Sequence, residues 1–282
     1  MYSRPDPATA DRMTDGFTRA VSALDLHIDH EPAFWGWRGR TLSGPVTGAH
    51  GPGWLRVVCA ARDKAYDRLW LGPESAQQEL PSSVPRPSLR AIHDWGNGEY
   101  AYRAELYDRV AAQPVTTHGP VLLNDPDLST AWWGGLAEAL VGIAKAPTDR
   151  IAVRQEYLHR AMPQFLPLAP GTAFDATVPR WETAHGDLHW ANLTAPQLLI
   201  LDWEGWGQAP AGFDAAMLHT YSLLVPTATA RIQEHLGGTL NTPEGRFAEL
   251  AVITMLLQTN SRGDNLELAG ALHLRANQLL GP

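Results

Sequence analysis

Along the first hundred residues the apolar positions come in short runs cut by Gly and Pro. "FWGWRGRTL", "GWLRVVCAA" and "AYRAELY" each alternate or stay apolar over a few residues between turn formers, the pattern of strands joined by turns. One helical stretch is predicted in this half, within "KAYDRLWLGPESAQQEL", and it falls on the "ESAQQEL" side because Gly72-Pro73 breaks what precedes it. From about residue 105 the apolar spacing changes to three and four: Trp133, Leu136, Leu140 and Ala144, then Phe213, Met217, Tyr221 and Leu224, and later Leu250, Thr254 and Leu257. This second part is predicted to be mainly helical. "TAPQLLILDW" interrupts it with a Pro turn and a short apolar strand, "LLIL", and the Pro/Gly-rich "APGTAFDATVPRW" reads as a surface loop.

Polar residues crowd both ends of that small hairpin. "HGDLHWANL" spans 185 to 193 and "LDWEGWG" spans 201 to 207. Such density beside a buried strand is costly unless the groups bind something or do chemistry. Asp187 and Asn192 lie five apart across a turn and Asp202 ends the returning strand, so the hairpin can bring all three side chains to one mouth. Carboxylate and amide oxygens suit Mg²⁺, which takes a few protein oxygens plus substrate phosphates. A further carboxylate can accept the proton of an attacking hydroxyl.

"HGDLHWANL…LDWEGWGQAPAGFDAA", residues 185 to 216, closely resembles the catalytic-loop and metal-loop signature of the aminoglycoside phosphotransferase and choline kinase-like families, relatives of the protein kinases. Outside that stretch the resemblance lies in the order of elements. It implies an α+β, bilobal protein kinase-like fold: a small strand-rich nucleotide-binding lobe over 1–104, a hinge at 105–108, and a larger, mainly helical lobe over 109–282 carrying both loops. It further implies that Asp187 is the catalytic base or orients the hydroxyl, that Asn192 and Asp202 bind Mg²⁺, and that His185 and Asp214 brace the catalytic loop. Glu204 is common after the metal Asp in this family and is not read as a substrate contact. From the residues alone, Asp214 also reads as an N-cap for the helix beginning "AAMLHTYSLL", and His189 as a structural residue held by loop hydrogen bonds.

A kinase-like site needs a cation on its third strand to hold nucleotide phosphates, paired to a Glu on the next helix. The aligned position holds Arg56, with Glu74 as its expected partner and Glu79 as the competitor. "GWRGRTLSG" and "GAHGPG" are Gly-containing turns able to lie over phosphates, although neither is a G-x-G-x-x-G loop. "AELYDR" resembles the hinge, where backbone groups of Glu105 to Tyr107 are expected to pair with the purine edge of ATP, GTP being open as well.

The formal net charge of −8 argues against a nucleic-acid partner and is compatible with a cationic small molecule. The single Cys59 rules out an internal disulfide and a Cys-based zinc site and fits a reducing compartment. No stretch of about 18 apolar residues exists, and "MYSRPDPATADRM" has no apolar h-region, so the expectation is a cytoplasmic protein with no membrane partner. The expected activity is ATP- and Mg²⁺-dependent O-phosphotransfer to a hydroxyl of a small molecule. Trp190, Trp203 and Trp206 flank the cluster as pocket walls or as core, and Asp175, Glu156 and Glu182 read equally as contacts for a cationic acceptor or as solvated surface. Two other readings stand beside it. Arg56 and the irregular phosphate loop motivate a catalytically silent kinase-like nucleotide-binding module. A metal-dependent hydrolase would start from Asp25-Leu26-His27 but lacks a downstream Gly-Asn-His element.

Overall fold

Asp6 and Pro7 begin the chain's first element. The Asp6 carboxylate accepts the Thr9 N–H at 3.0 Å and Pro7 occupies the first turn of α1 (Pro7–Ala23). Ala10, Met13, Phe17 and Ala20 form the buried stripe of this helix. α1 corrects the expectation that the first hundred residues hold a single helix. In a computed structural model, residues 4–29, 34–65, 68–169, 171 and 173–281 are described. Their contacts divide them into two compact units: residues up to Gln78 with Arg86–Ala111, and Glu79–Pro85 with the chain from Ala112 onward.

The first unit is an antiparallel sheet built from β1 (Leu26–Ile28), β2 (Phe34–Trp35), β3 (Thr41–Gly48), β4 (Gly51–Ala61), β5 (Leu89–Gly96) and β6 (Tyr100–Asp108). Its order is β1-β3-β4-β6-β5, with β2 also paired to β3. Side chains alternate across each strand. Leu55, Val57 and Cys59 of β4 therefore join Leu42, Val46, Ala104 and Leu106 against Met13, Phe17 and Ala20 of α1. Val58 and Ala101 face the other way, onto Trp70 of α2 (Arg68–Glu79). The break expected at Gly72-Pro73 does not occur: α2 runs through Pro73, with the Ser75 hydroxyl donating to the Gly72 carbonyl at 3.0 Å.

The second unit contains β7 (Gln113–Pro114), α3 (Thr130–Ala144), α4 (Gln155–Phe165), β8 (Trp181–Ala184), β9 (Thr194–Ala195), β10 (Gly207–Pro210), α5 (Phe213–Tyr221), α6 (Pro226–Leu240), α7 (Pro243–Asn260) and α8 (Ala269–Leu280). Every residue of α5 is buried, and α7 packs against α4, α5, α6 and α8, so these two helices form the interior. On α3 the buried face is Trp132, Trp133, Leu136, Ala139 and Ile143. The helix is where periodicity puts it, but its stripe is rotated off Leu140 and Ala144. Glu249 of α7 is completely buried between Arg275 of α8 and His219 of α5. Among the described residues no helix is long and apolar enough to cross a membrane.

Candidate active site

β8 and β10 pair antiparallel, Ala184 opposite Gly207, so one polar loop leaves and the other enters at the same end of a two-stranded ladder. Between the loops the chain folds back on itself: Leu193 bridges Ile200, the Thr194 N–H donates to Leu199 O at 3.1 Å, and the Leu201 N–H donates to Asn192 O at 2.9 Å. The expected "LLIL" strand reduces to the single bridge at Ile200. The hairpin still does what its pattern requires, because Asp202 directly follows a residue bonded to Asn192.

His185 and Asp214 tie the two loops together. The Asp214 carboxylate accepts the His185 N–H at 2.7 Å and the Gly186 N–H at 3.0 Å. It lies in the first turn of α5, whose N-cap is Gly212 with φ 86°, so the capping expected of Asp214 is not its role. Burial above all pushes the Asp214 carboxyl above the ordinary carboxylate range, against the pull of His185 and the two N–H groups. His185 Nε2 lies 2.8 Å from the Leu201 carbonyl and so carries the ring proton, while its Nδ1 accepts the Asp187 N–H at 3.3 Å. Both nitrogens are satisfied in the neutral ring, consistent with burial pushing the imidazole below its usual value. One ring thus spans from the backbone of Asp187 to the residue before Asp202.

Gly186 makes this approach possible. Its φ is +82°, and a Cβ there would sit 3.0 Å from both Ala152 Cβ and Gly205 O. Gly186→Ala is expected to cost about 1–2 kcal/mol from the left-handed backbone alone, with the contacts adding to it. Urea unfolding of the variant checks this, and an unchanged midpoint would refute the constraint.

The Asp187 side chain is 54% exposed, and its carboxylate faces His189, Oδ2 lying 3.6 Å from Nε2. Surrounding protein pushes this carboxyl upward, but His189 and then His185 outweigh that and hold it below the ordinary range. Asn192 is buried, and its amide nitrogen donates to Asp187 O at 2.9 Å, which leaves the amide oxygen for a ligand. Asp202 is exposed and holds φ 61° and ψ 66°, a left-handed conformation that a non-Gly residue adopts at some cost and that recurs at functional sites. Among the described residues no three His, Cys, Asp or Glu side chains gather to hold a metal. A divalent cation here would be held by the Asp202 carboxylate and the Asn192 amide oxygen together with phosphate oxygens, a hard donor set that fits Mg²⁺. A hydrolase centre needs a fuller cage of its own, and among the described residues Asp25 and His27 join no cluster of three His, Cys, Asp or Glu side chains.

Some expected partners and placements are corrected. Arg56 Nη1 pairs with Glu105 Oε2 at 3.0 Å, to which Tyr107 Oη also donates at 2.9 Å. Arg56 and Glu105 are direct cross-strand partners in the β4–β6 register, which puts that carboxylate nearest. Glu74 instead stands 3.7 Å from Arg103. The backbone of Glu105 to Tyr107 lies in β6, between β4 and β5, and is committed to the sheet rather than offered to a purine. "GAHGPG" is the tip of the β3–β4 hairpin, with Gly48 opposite Gly51, and "GWRGR" holds the 3-10 turn Trp37–Gly39. Trp190, Trp203 and Trp206 are buried at 0%, 5% and 0% exposure and serve as core. Glu182 accepts the Gly212 N–H at 2.7 Å, and Asp175 accepts the Thr177 N–H at 2.9 Å. Arg150, which no sequence signal marks, braces the loop after Asp202: Nε donates to Trp206 O at 3.0 Å and Nη2 to Glu204 O at 3.1 Å.

No protein-family profile and no curated protein sequence matches the chain. Solved structures do. An aminoglycoside phosphotransferase, APH(4)-Ia, is 13% identical with a TM-score of 0.62, covering 95% of this chain and 98% of its own. The GDP complex of aminoglycoside 2'-phosphotransferase-IIIa is 15% identical with a TM-score of 0.59, covering 94% and 99%. Amicoumacin kinase hAmiN, in complex with AMP-PNP, Ca²⁺ and Ami, is 13% identical with a TM-score of 0.56, covering 97% and 95%. The chain has the kinase-like fold of these phosphotransferases, with an antiparallel sheet in its N-terminal part and helices in its C-terminal part.

Proposed function

We propose that the chain is a small-molecule O-phosphotransferase that moves the γ-phosphate of ATP to a hydroxyl of its acceptor. The observation that carries this reading is the half-exposed Asp187 carboxylate, on a loop bound through His185 to the residue before an exposed, left-handed Asp202. As the acceptor oxygen bonds to the γ-phosphorus, its proton passes to Asp187 and the bond to the bridging oxygen breaks, releasing ADP. Asn192 and Asp202 would hold magnesium, which when bound would neutralise charge on the phosphates. Arg56, fixed by Glu105, is the proposed second cation for phosphate. The neighbours solved with AMP-PNP, Ca²⁺ and GDP support nucleotide and divalent-metal use.

Calorimetric titration with ATP, with and without Mg²⁺, tests the metal assignment. Asp202→Ala is expected to weaken Mg²⁺-dependent binding by at least about tenfold, roughly 1.4 kcal/mol. Affinity and Mg²⁺ dependence equal to wild type would remove Asp202 from the site.

A further inference from the structure

His189 has no part in the transfer as described, yet its ring is 95% hidden between the two groups that matter most there, its own exposure being 5%. Its N–H donates to Asp187 O at 3.1 Å and its carbonyl accepts the Asn192 N–H at 2.9 Å, so the ring is anchored from both sides of the loop. Tyr221 meets it edge-on, with centroids 5.7 Å apart. Nε2 lies 3.6 Å from Asp187 Oδ2 and 3.4 Å from Asn192 Nδ2, while the buried Nδ1 has no hydrogen-bond partner among the described residues.

These contacts decide where the ring proton sits. On Nδ1 it would be a buried donor with no acceptor, an arrangement folded proteins rarely keep. On Nε2 it faces a carboxylate, the Asn192 amide nitrogen 3.4 Å away having its shorter hydrogen bond to Asp187 O at 2.9 Å. Among the described residues no other side-chain hydrogen bond or ion pair reaches the Asp187 carboxylate, whose exposed tip would otherwise be free to turn between rotamers. A ring kept for packing alone would not need a nitrogen on this side.

We propose that His189 positions the Asp187 carboxylate for phosphoryl transfer, its Nε2–H fixing one oxygen so that the other meets the acceptor hydroxyl. The 3.6 Å separation closes to a hydrogen bond when the acceptor arrives, as catalytic hydrogen bonds do on substrate binding. This rests on the kinase reading for its chemistry, though not for its geometry.

Two variants separate positioning from packing. His189→Phe keeps the ring and its contact with Tyr221 but removes the donor; His189→Gln gives up the ring but returns an N–H near the Nε2 position. The Phe variant is expected to lower kcat roughly 10- to 100-fold, as small misplacements of a reacting group do, with KM for ATP within about threefold, and the Gln variant to recover most of the loss. Crystal structures of wild type and both variants should show Asp187 in one rotamer in wild type and Gln, and displaced or split in Phe. A Phe variant with wild-type kcat and an unmoved Asp187, or a Gln variant that falls further than Phe, would overturn the proposal. Failure of the wild type to release ADP with any acceptor would overturn the kinase reading instead, and the Asp187 rotamers would still decide the role of His189.

Discussion

Replacing Asp187 by Asn is expected to lower acceptor-dependent turnover about 10²- to 10⁴-fold, the range that a positioned general base supplies, while nucleotide binding survives. The substitution changes little else. The loop is held through the Asp187 backbone, whose N–H donates to His185 Nδ1 and whose carbonyl accepts from Asn192 and His189. The carboxylate itself is more than half exposed and contributes nothing to the core. Asn is nearly isosteric, so the unfolding midpoint should fall only by the small contribution of the carboxylate facing His189, and proton acceptance is the property lost. Steady-state ADP formation and ATP titration on the same preparation check this. Intact turnover would remove Asp187 from the chemistry; lost turnover with lost nucleotide binding would mean that the loop had collapsed.

The largest effect on stability is expected at Glu249. Its carboxylate is fully buried, accepts Arg275 Nε at 2.7 Å and Nη2 at 2.8 Å, and lies 2.8 Å from His219 Nδ1. These contacts join α7 to α8 and to α5. Removing one member of such a buried pair costs about 3–5 kcal/mol, because the remaining charge is left without compensation. Arg275 keeps 24% exposure and can turn partly to water, so the lower end, about 3 kcal/mol, is expected for Glu249→Ala. Burial pushes the Glu249 carboxyl up, but the bonds from Arg275 and His219 outweigh it and hold it below the ordinary glutamate value. A depressed folded-state pKa stabilises above the unfolded value and loses that contribution as pH falls through the folded one. Wild type should therefore lose stability below about pH 4.3, the ordinary glutamate value, more steeply than Glu249→Gln. Urea unfolding at pH 7 and at a series of acid pH values measures both effects. A loss under about 1 kcal/mol at pH 7 would place this triad with ordinary surface pairs.

The residues that sequence and structure alike place together are those whose geometry is local. Asp187, Asn192 and Asp202 lie on one turn and its return, so the hairpin pattern alone brings them together. What the sequence hid depends on distant chain. Arg56 meets Glu105, 49 residues on, because β4 and β6 pair in that register, and nothing near Arg56 distinguishes this partner from Glu74. Arg150 reaches the loop after Asp202 from more than fifty residues upstream. The three Trp beside the cluster look alike whether they wall a pocket or fill a core, and burial alone assigns them to the core. α1 is a different case. Asp6-Pro7 and the spacing of Ala10, Met13, Phe17 and Ala20 are local signals, but a stripe containing two Ala residues is weakly hydrophobic beside the strand-like runs that follow.

ADP release reads out phosphoryl transfer to a small-molecule hydroxyl without further assumption. Purified wild type and Asp187→Asn, each with ATP and Mg²⁺ and with GTP in a parallel series, would be tested against aminoglycosides, choline, macrolides, nucleosides and simple sugars. ADP release that depends on one class of acceptor and is lost in the variant is the expected result. Acceptor-dependent release that persists undiminished in Asp187→Asn, or Mg²⁺-dependent ATP binding with no ADP from any acceptor, would contradict it, the latter in favour of a silent nucleotide-binding module.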